Sequence, residues 1–108
     1  TGRSADTIIS GGTNIYPQEI DDVLLAHQSV AEVCCIGVPN EEWGEEVKAV
    51  INLESGADED AVRKELVQLA EAKLSGFKKP KTYEFWTEEL PRLPTGKIQR
   101  NLVKKRFW

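Results

Sequence analysis

Val30-Ala31-Glu32-Val33-Cys34-Cys35-Ile36-Gly37-Val38 is an apolar run rich in β-branched residues. It predicts a central strand, ended by Pro39 and Asn40. Downstream, Trp43-Gly44 falls on a loop with Glu41, Glu42, Glu45 and Glu46. Residues 47–53 read as a second strand, with Val47, Ala49 and Ile51 on one face. Residues 54–57 form a turn. Asp58 is then a good helix N-cap, and Val62, Leu66, Leu69 and Ala70 make an apolar stripe at helical spacing. Ser75-Gly76 stops that helix, residues 83–86 give a third strand, and residues 101–107 a last short helix.

Upstream of the central run, residues 7–9 and 13–15 flank Ser10-Gly11-Gly12 and predict a short hairpin tipped by glycines. Pro17 opens a helix that runs to about residue 27, with Ile20, Val23 and Leu24 on its apolar face. His27 ends that helix as a surface residue. Strands and helices mix without a repeated βα unit, so the fold class is α+β. The expectation is a small, mainly three-stranded sheet flanked by two helices, with the glycine-tipped N-terminal β-hairpin projecting. The chain, residues 1–108, has length for one domain with a modest core.

Cys34 and Cys35 are adjacent on a strand and point to opposite faces, which disfavours an ordinary disulfide. They read as small apolar residues of a reducing, cytoplasmic protein. Two cysteines and one histidine supply no metal-site spacing. No apolar run approaches the ~20 residues of a membrane span.

The net charge of −4 conceals a division. Residues 1–72 hold 4 basic and 15 acidic side chains, and residues 73–108 hold 10 basic and 3 acidic. Lys78, Lys79, Lys81 and Lys97 fall on predicted loops, which suits a phosphate-bearing ligand. Nucleic acid is the alternative anion, and the acidic remainder argues against it.

Two motifs carry chemistry. In Leu90-Pro91-Arg92-Leu93-Pro94-Thr95-Gly96-Lys97-Ile98-Gln99-Arg100, two prolines and a glycine shape a loop that presents one lysine. The second motif is Gly2-Arg3-Ser4-Ala5-Asp6-Thr7-Ile8-Ile9-Ser10-Gly11-Gly12-Thr13-Asn14-Ile15-Tyr16-Pro17-Gln18-Glu19-Ile20. Together, in this order and spacing, they resemble the C-terminal domain of the adenylate-forming enzymes: acyl-CoA synthetases, luciferases and peptide-synthetase adenylation domains. The likeness spans essentially the whole chain and is strongest to the acyl- and aryl-CoA synthetase branch.

The resemblance implies an acid–thiol ligase. A carboxylic acid and ATP form an acyl-adenylate and pyrophosphate, then coenzyme A displaces AMP. ATP, with Mg bound mainly by a large N-terminal domain, and coenzyme A are then substrates, and no prosthetic group is expected. The small domain would rotate between the half-reactions and be inactive alone.

By the same resemblance, Lys97 is the adenylation lysine, supported by Gly96 and Arg100. Ser10, Gly11, Gly12 and Thr13 would line the pantetheine channel, with Glu19 either structural, as an acid favoured near a helix N-terminus, or orienting that hairpin. Arg3, Ala5 and Asp6 would stand at the nucleotide and hinge region. The family's usual Asp or Lys at the hinge is replaced by Ala5, so its polar role does not carry over. Trp43, Phe77 and Lys79 would lie on the coenzyme A side, an aromatic ring stacking on adenine and lysines meeting phosphate. Lys97 also resembles a site acted on by a lysine acetyltransferase. A peptide-synthetase adenylation subdomain, whose acceptor thiol is protein-borne, and a freestanding binding module of the same fold are the alternatives.

Overall fold

A computed structural model describes residues 7–108. Its elements are β1 (Ile8–Ser10), β2 (Thr13–Ile15), α1 (Pro17–Leu25), β3 (Val30–Asn40), β4 (Gly44–Leu53), α2 (Glu59–Lys73), a 3-10 turn (Gly76–Lys78), β5 (Thr82–Trp86) and α3 (Arg100–Lys105). The α+β class is as the sequence indicates.

β3 and β4 pair antiparallel from Val30 opposite Leu53 to Asn40 opposite Gly44. The far edge of β4 is shared. β5 runs parallel to it, from Lys48 opposite Thr82 to Asn52 opposite Trp86, and β1 meets its start at Ser10 opposite Gly44. Parallel neighbours need a crossover, and α2 supplies it. The hairpin strands therefore join the expected three strands in one sheet rather than projecting from it.

Alternation along the strands builds a core on each face. Cys35, Val47, Ala49 and Ile51 pack with Ile20, Leu24, Val62 and Leu66 under α1 and α2. Cys34, Ile36, Val38 and Val50 pack with Leu90 and Val103 on the other face. Ile20, Leu24 and Leu66 are each 0% exposed; full burial of such a side chain contributes about 2 kcal/mol. The two neighbouring cysteines thus belong to different cores, as their adjacency on a strand predicts.

α3 covers the second face, which the expectation of two flanking helices leaves open. Asp58 caps α2, its Oδ1 accepting from the Asp60 and Ala61 amides. Such a cap is worth about 1 kcal/mol.

Several boundaries differ from the sequence reading. β4 begins at Gly44 rather than at residue 47, because Gly44, Glu45 and Glu46, expected on the loop, pair with Asn40, Pro39 and Val38 of the long β3. Pro39 and Asn40 stay in β3 instead of ending it. β3 is the sheet's outer strand, where a missing N–H costs no ladder bond. α1 ends at Leu25. His27 beyond it is not a surface residue: its side chain is 12% exposed, Nε2 pairs with Glu65 of α2, and Nδ1 accepts from the Ser29 amide.

The outer edge of β3 is closed by side chains. Asp21 Oδ1 accepts the Cys35 amide at 2.8 Å, Arg100 Nη1 donates to the Cys35 carbonyl at 2.8 Å, and Trp108 Nε1 donates to the Gly37 carbonyl at 2.7 Å. An uncovered edge would offer those groups to another strand.

Candidate functional site

Lys97 lies on a tight turn. The Gly96 amide donates to the Leu93 carbonyl and the Leu93 amide to the Lys97 carbonyl, both at 2.8 Å. Gly96 has φ +96°, a left-handed conformation that favours glycine. Pro94 follows Leu93 at the turn position where a fixed φ is favoured. Arg92 and Ile98 close the base of the turn as an antiparallel bridge.

This turn is tied to the body of the domain by two carboxylates. Glu32, on β3 and 8% exposed, accepts the Leu90 amide at 3.1 Å and the Arg92 Nε at 2.7 Å, and also pairs with Arg92 Nη2. Arg92 Nη1 in turn donates to the Gly96 carbonyl. Asp21, on α1 and also buried, pairs with Arg100 at 2.8 Å. The charge-assisted network spans α1, β3, the turn and α3.

Lys97 is exposed and borders a cleft of about 270 Å³ between the turn, Gln18 and Leu25 of α1, and the first half of β3. Asp21, Glu32, Arg92 and Arg100 also line it. Gly96 and Arg100, expected to support the loop, stand within it and beneath it respectively. Sequence reasoning did not find Asp21, Glu32 or Arg92.

The glycine hairpin stands elsewhere. Ser10 is buried, and Gly11, Gly12 and Thr13 are exposed. Gly11 has φ +58°, and a Cβ there would lie 2.8 Å from Cζ of Phe77. The Gly11 amide donates to the Trp43 carbonyl at 3.0 Å. Trp43 meets Phe77 edge to face, with centroids 5.2 Å apart. Asn40 Oδ1 accepts the Glu42 and Trp43 amides and so sets the loop that holds this ring.

Of the candidates on the coenzyme A side, the structure brings Trp43 and Phe77 together against Gly11. Lys79 stands apart, paired with Glu71 of α2 at 2.7 Å. Lys81 instead lies over the Trp43 ring, 5.0 Å from its centroid. Lys78 pairs with Glu19 at 3.0 Å, linking the 3-10 turn to the first turn of α1 behind the hairpin. The four loop lysines thus have different neighbours rather than one shared pocket. Arg3, Ala5 and Asp6 lie outside the described residues.

The two candidate regions rest on different cores. Ile98, beside Lys97, packs against the core that holds Val103. Ile8, Ile15 and Phe77 belong to, or pack against, the core under α1 and α2. Among the described residues, no cluster of His, Cys, Asp and Glu could hold a metal ion, and no helix is long and apolar enough to cross a membrane.

The sequence pattern of the AMP-binding enzyme C-terminal domain matches residues 19–97. This chain belongs to that family. A long-chain-fatty-acid–CoA ligase of Bacillus subtilis (strain 168) is 44% identical over 98 residues, 91% of this chain and 17% of that protein. A 2-succinylbenzoate–CoA ligase of Listeria monocytogenes is 44% identical over 104 residues, 96% of this chain and 21% of that protein. Among solved structures, a Mycobacterium tuberculosis fatty acyl CoA synthetase superposes with TM-score 0.82 at 39% identity, over 94% of this chain and 20% of that one. This AMP-binding enzyme C-terminal domain therefore spans about a fifth of the length of the relatives it matches.

Proposed function

We propose that this chain is the mobile C-terminal domain of an ATP-dependent acyl-CoA synthetase, serving two half-reactions with two different surfaces. The observation that carries the proposal is the separation just described. A lysine on a braced turn stands over one core, and a glycine hairpin backed by Phe77 and Trp43 stands over the other.

In the first half-reaction, a carboxylate oxygen attacks the α-phosphorus of ATP and pyrophosphate leaves. Both reactants are anionic. The Lys97 ammonium bridges them, holds the attack geometry and stabilises developing charge. The large N-terminal domain would hold the nucleotide, its Mg ion and the acid. In the second, the domain rotates and the coenzyme A thiol attacks the acyl carbon of the adenylate, with AMP leaving. Gly11, Gly12 and Thr13 form a wall of backbone beside the narrow pantetheine arm, unobstructed because the glycines carry no side chain there, and Ser10, which is buried, supports that wall from behind. Phe77 and Trp43 give the coenzyme an aromatic rim, with Lys81 in a better position than Lys79 to meet its phosphates. Arg3 and Asp6 belong to the junction at which the domain turns, with Ala5 at the hinge. The setting is the cytoplasm.

The identity of the acid is not written in this domain. Likeness is equal, at 44%, to relatives named for a long-chain fatty acid and for 2-succinylbenzoate. Selectivity for the acid belongs to the large domain.

The test is Lys97→Ala in the full-length enzyme, with the half-reactions assayed apart. Adenylate formation from acid and ATP should fall by at least about 100-fold, while thioester formation from supplied acyl-adenylate and coenzyme A stays within a few-fold. Equal loss of both, or loss of neither, removes Lys97 from the role. Replacing coenzyme A by carrier protein as the better acceptor would shift the reading to a peptide-synthetase subdomain. Acetylation of Lys97 removes the same charge and should mimic Lys97→Ala. Mass spectrometry of protein from cells on varied carbon sources, finding Lys97 never modified, would rule out such regulation.

A further inference from the structure

We infer that Glu32 and Arg92 are positioning residues for Lys97, acting as one unit that sets where the lysine stands. The inference deepens the reading of Lys97 given above and rests on it. The turn that carries Lys97 is short and exposed, and its own hydrogen bonds fix its shape but not its place on the domain. Ile98 and Arg100 anchor the chain after the turn, and Glu32 places the side on which the chain enters it. One oxygen of this carboxylate holds the Leu90 amide, where the chain enters the segment, and the other holds the Arg92 guanidinium.

Arg92 passes the constraint on. Its Nε and Nη2 engage Glu32, while Nη1 reaches the carbonyl of Gly96, the residue next to Lys97. The Gln99 side chain also donates to the Arg92 carbonyl, at 3.2 Å, so the far side of the turn is held by the same residue. A guanidinium is suited to this because its planar fork can bind two partners in fixed directions. A lysine at position 92 has one nitrogen and cannot span both.

Glu32 sits within the strand, 8% exposed, where a carboxylate without partners would be costly. Its charge is matched by Arg92, whose side chain is 42% exposed, so the pair runs from a buried carboxylate out to the turn that carries Lys97. A displacement of the turn by about 1 Å is enough to cost about 100-fold in a reaction that depends on attack geometry.

The experiment is a double-mutant cycle in the full-length enzyme. Glu32→Gln keeps the shape and the acceptor for Leu90 but loses the charge, and Arg92→Lys keeps the charge but loses the fork. Each should lower kcat for adenylate formation by about 10- to 100-fold with KM for ATP little changed. Thioester formation from supplied adenylate should stay within about 2-fold. In a Lys97→Ala background the same substitutions should have no further effect, because the residue they place is gone.

Three results overturn the inference: full adenylation activity in both variants, equal loss in both half-reactions, or an undiminished loss in the Lys97→Ala background. Failure of Lys97→Ala itself to lower adenylation would instead overturn the reading of Lys97. The two failures are thus distinct. Circular dichroism and thermal melts of each variant separate misfolding from misplacement. If Glu32→Gln unfolds the domain, Arg92→Lys decides alone, since Arg92 is exposed.

Discussion

Gly11→Ala is expected to destabilise the domain sharply, and the structure says by how much and through which neighbour. Gly11 has φ +58°, and the left-handed region costs an L residue roughly 1 to 2 kcal/mol. The new methyl group would also meet three carbons of the Phe77 ring at 2.8, 3.0 and 3.2 Å. That ring cannot simply retreat, because Trp43 meets it edge to face and it packs against the core under α1 and α2. Overpacking of this kind costs about 1 to 3 kcal/mol, so the total is roughly 2 to 5 kcal/mol. Gly12 is the internal control: its φ is +80°, but nothing lies within 4 Å of a Cβ there. Gly12→Ala should therefore cost the backbone term alone, about 1 to 2 kcal/mol. For 108 residues, each kcal/mol lowers Tm by about 4 °C. Thermal and urea melts of the chain should thus show a loss of about 8 to 20 °C for Gly11→Ala and about 4 to 8 °C for Gly12→Ala. Against a Phe77→Ala background, the excess for Gly11→Ala should disappear. Equal losses at the two glycines, or an excess that survives removal of the Phe77 ring, would refute the argument that the ring and the hairpin share one tight contact.

Three further outcomes are expected. Gly37→Ala would place a methyl 2.4 Å from Glu45 Oε1 and 3.1 Å from Ile8 Cγ2. Since Glu45 accepts the Ile9 amide, that amide should exchange faster and stability should drop by about 1 to 3 kcal/mol; unchanged exchange at Ile9 would sink the idea. Arg100→Ala leaves the buried Asp21 carboxylate without its cation and should cost about 3 to 5 kcal/mol, with part recovered in Arg100→Met combined with Asp21→Asn; a near-neutral Arg100→Ala would show the pair to be idle. Alkaline pH should weaken the fold. Burial, reinforced by Asp21, pushes the Cys35 thiol well above its ordinary 9.0, and burial, reinforced by Cys35 and Glu71, pushes Tyr83 up to about 12. Both folded-state values are raised, so their contribution is complete below about pH 9 and is lost as pH climbs through the folded values. The urea midpoint should fall between pH 9 and 12, less steeply above pH 10 in Tyr83→Phe, and a flat profile would contradict this.

Periodicity made most of the fold legible. Alternation in residues 47–53 and the stripe of Val62, Leu66, Leu69 and Ala70 are local signals, and they located β4 and α2 directly. Pro39 misled because proline ends a strand only where its N–H would have been needed, and an outer strand does not need it. The site was half legible. The Gly96 turn and the glycine hairpin announce themselves through local backbone chemistry, whereas Lys97 stands out through the resemblance of its motif to the family's. Glu32, Asp21 and Arg92 do not, because their meaning lies in partners on distant elements: Arg92 is 60 residues from Glu32, and Asp21 on α1 pairs with Arg100 near the far end of the described residues. A faint signal existed in each case: Glu32 is the charged residue in an otherwise apolar strand, and Asp21 sits between Ile20 and Val23 on the buried side of α1. Lys79 and Lys81 could not be told apart from sequence, since the choice between Glu71 and the Trp43 ring depends on how the chain leaves the 3-10 turn.

The edge of β3 carries one more consequence. It is sealed by Asp21, Arg100 and Trp108, which come from the first helix, the last helix and the residue that closes the described chain. Two of the three arrive from the final nine positions. Until those positions fold into place, β3 is an open template for a second molecule. Self-association is therefore a hazard of this domain's youth on the ribosome and of any truncation after about residue 99, while the completed fold suppresses it with three side chains.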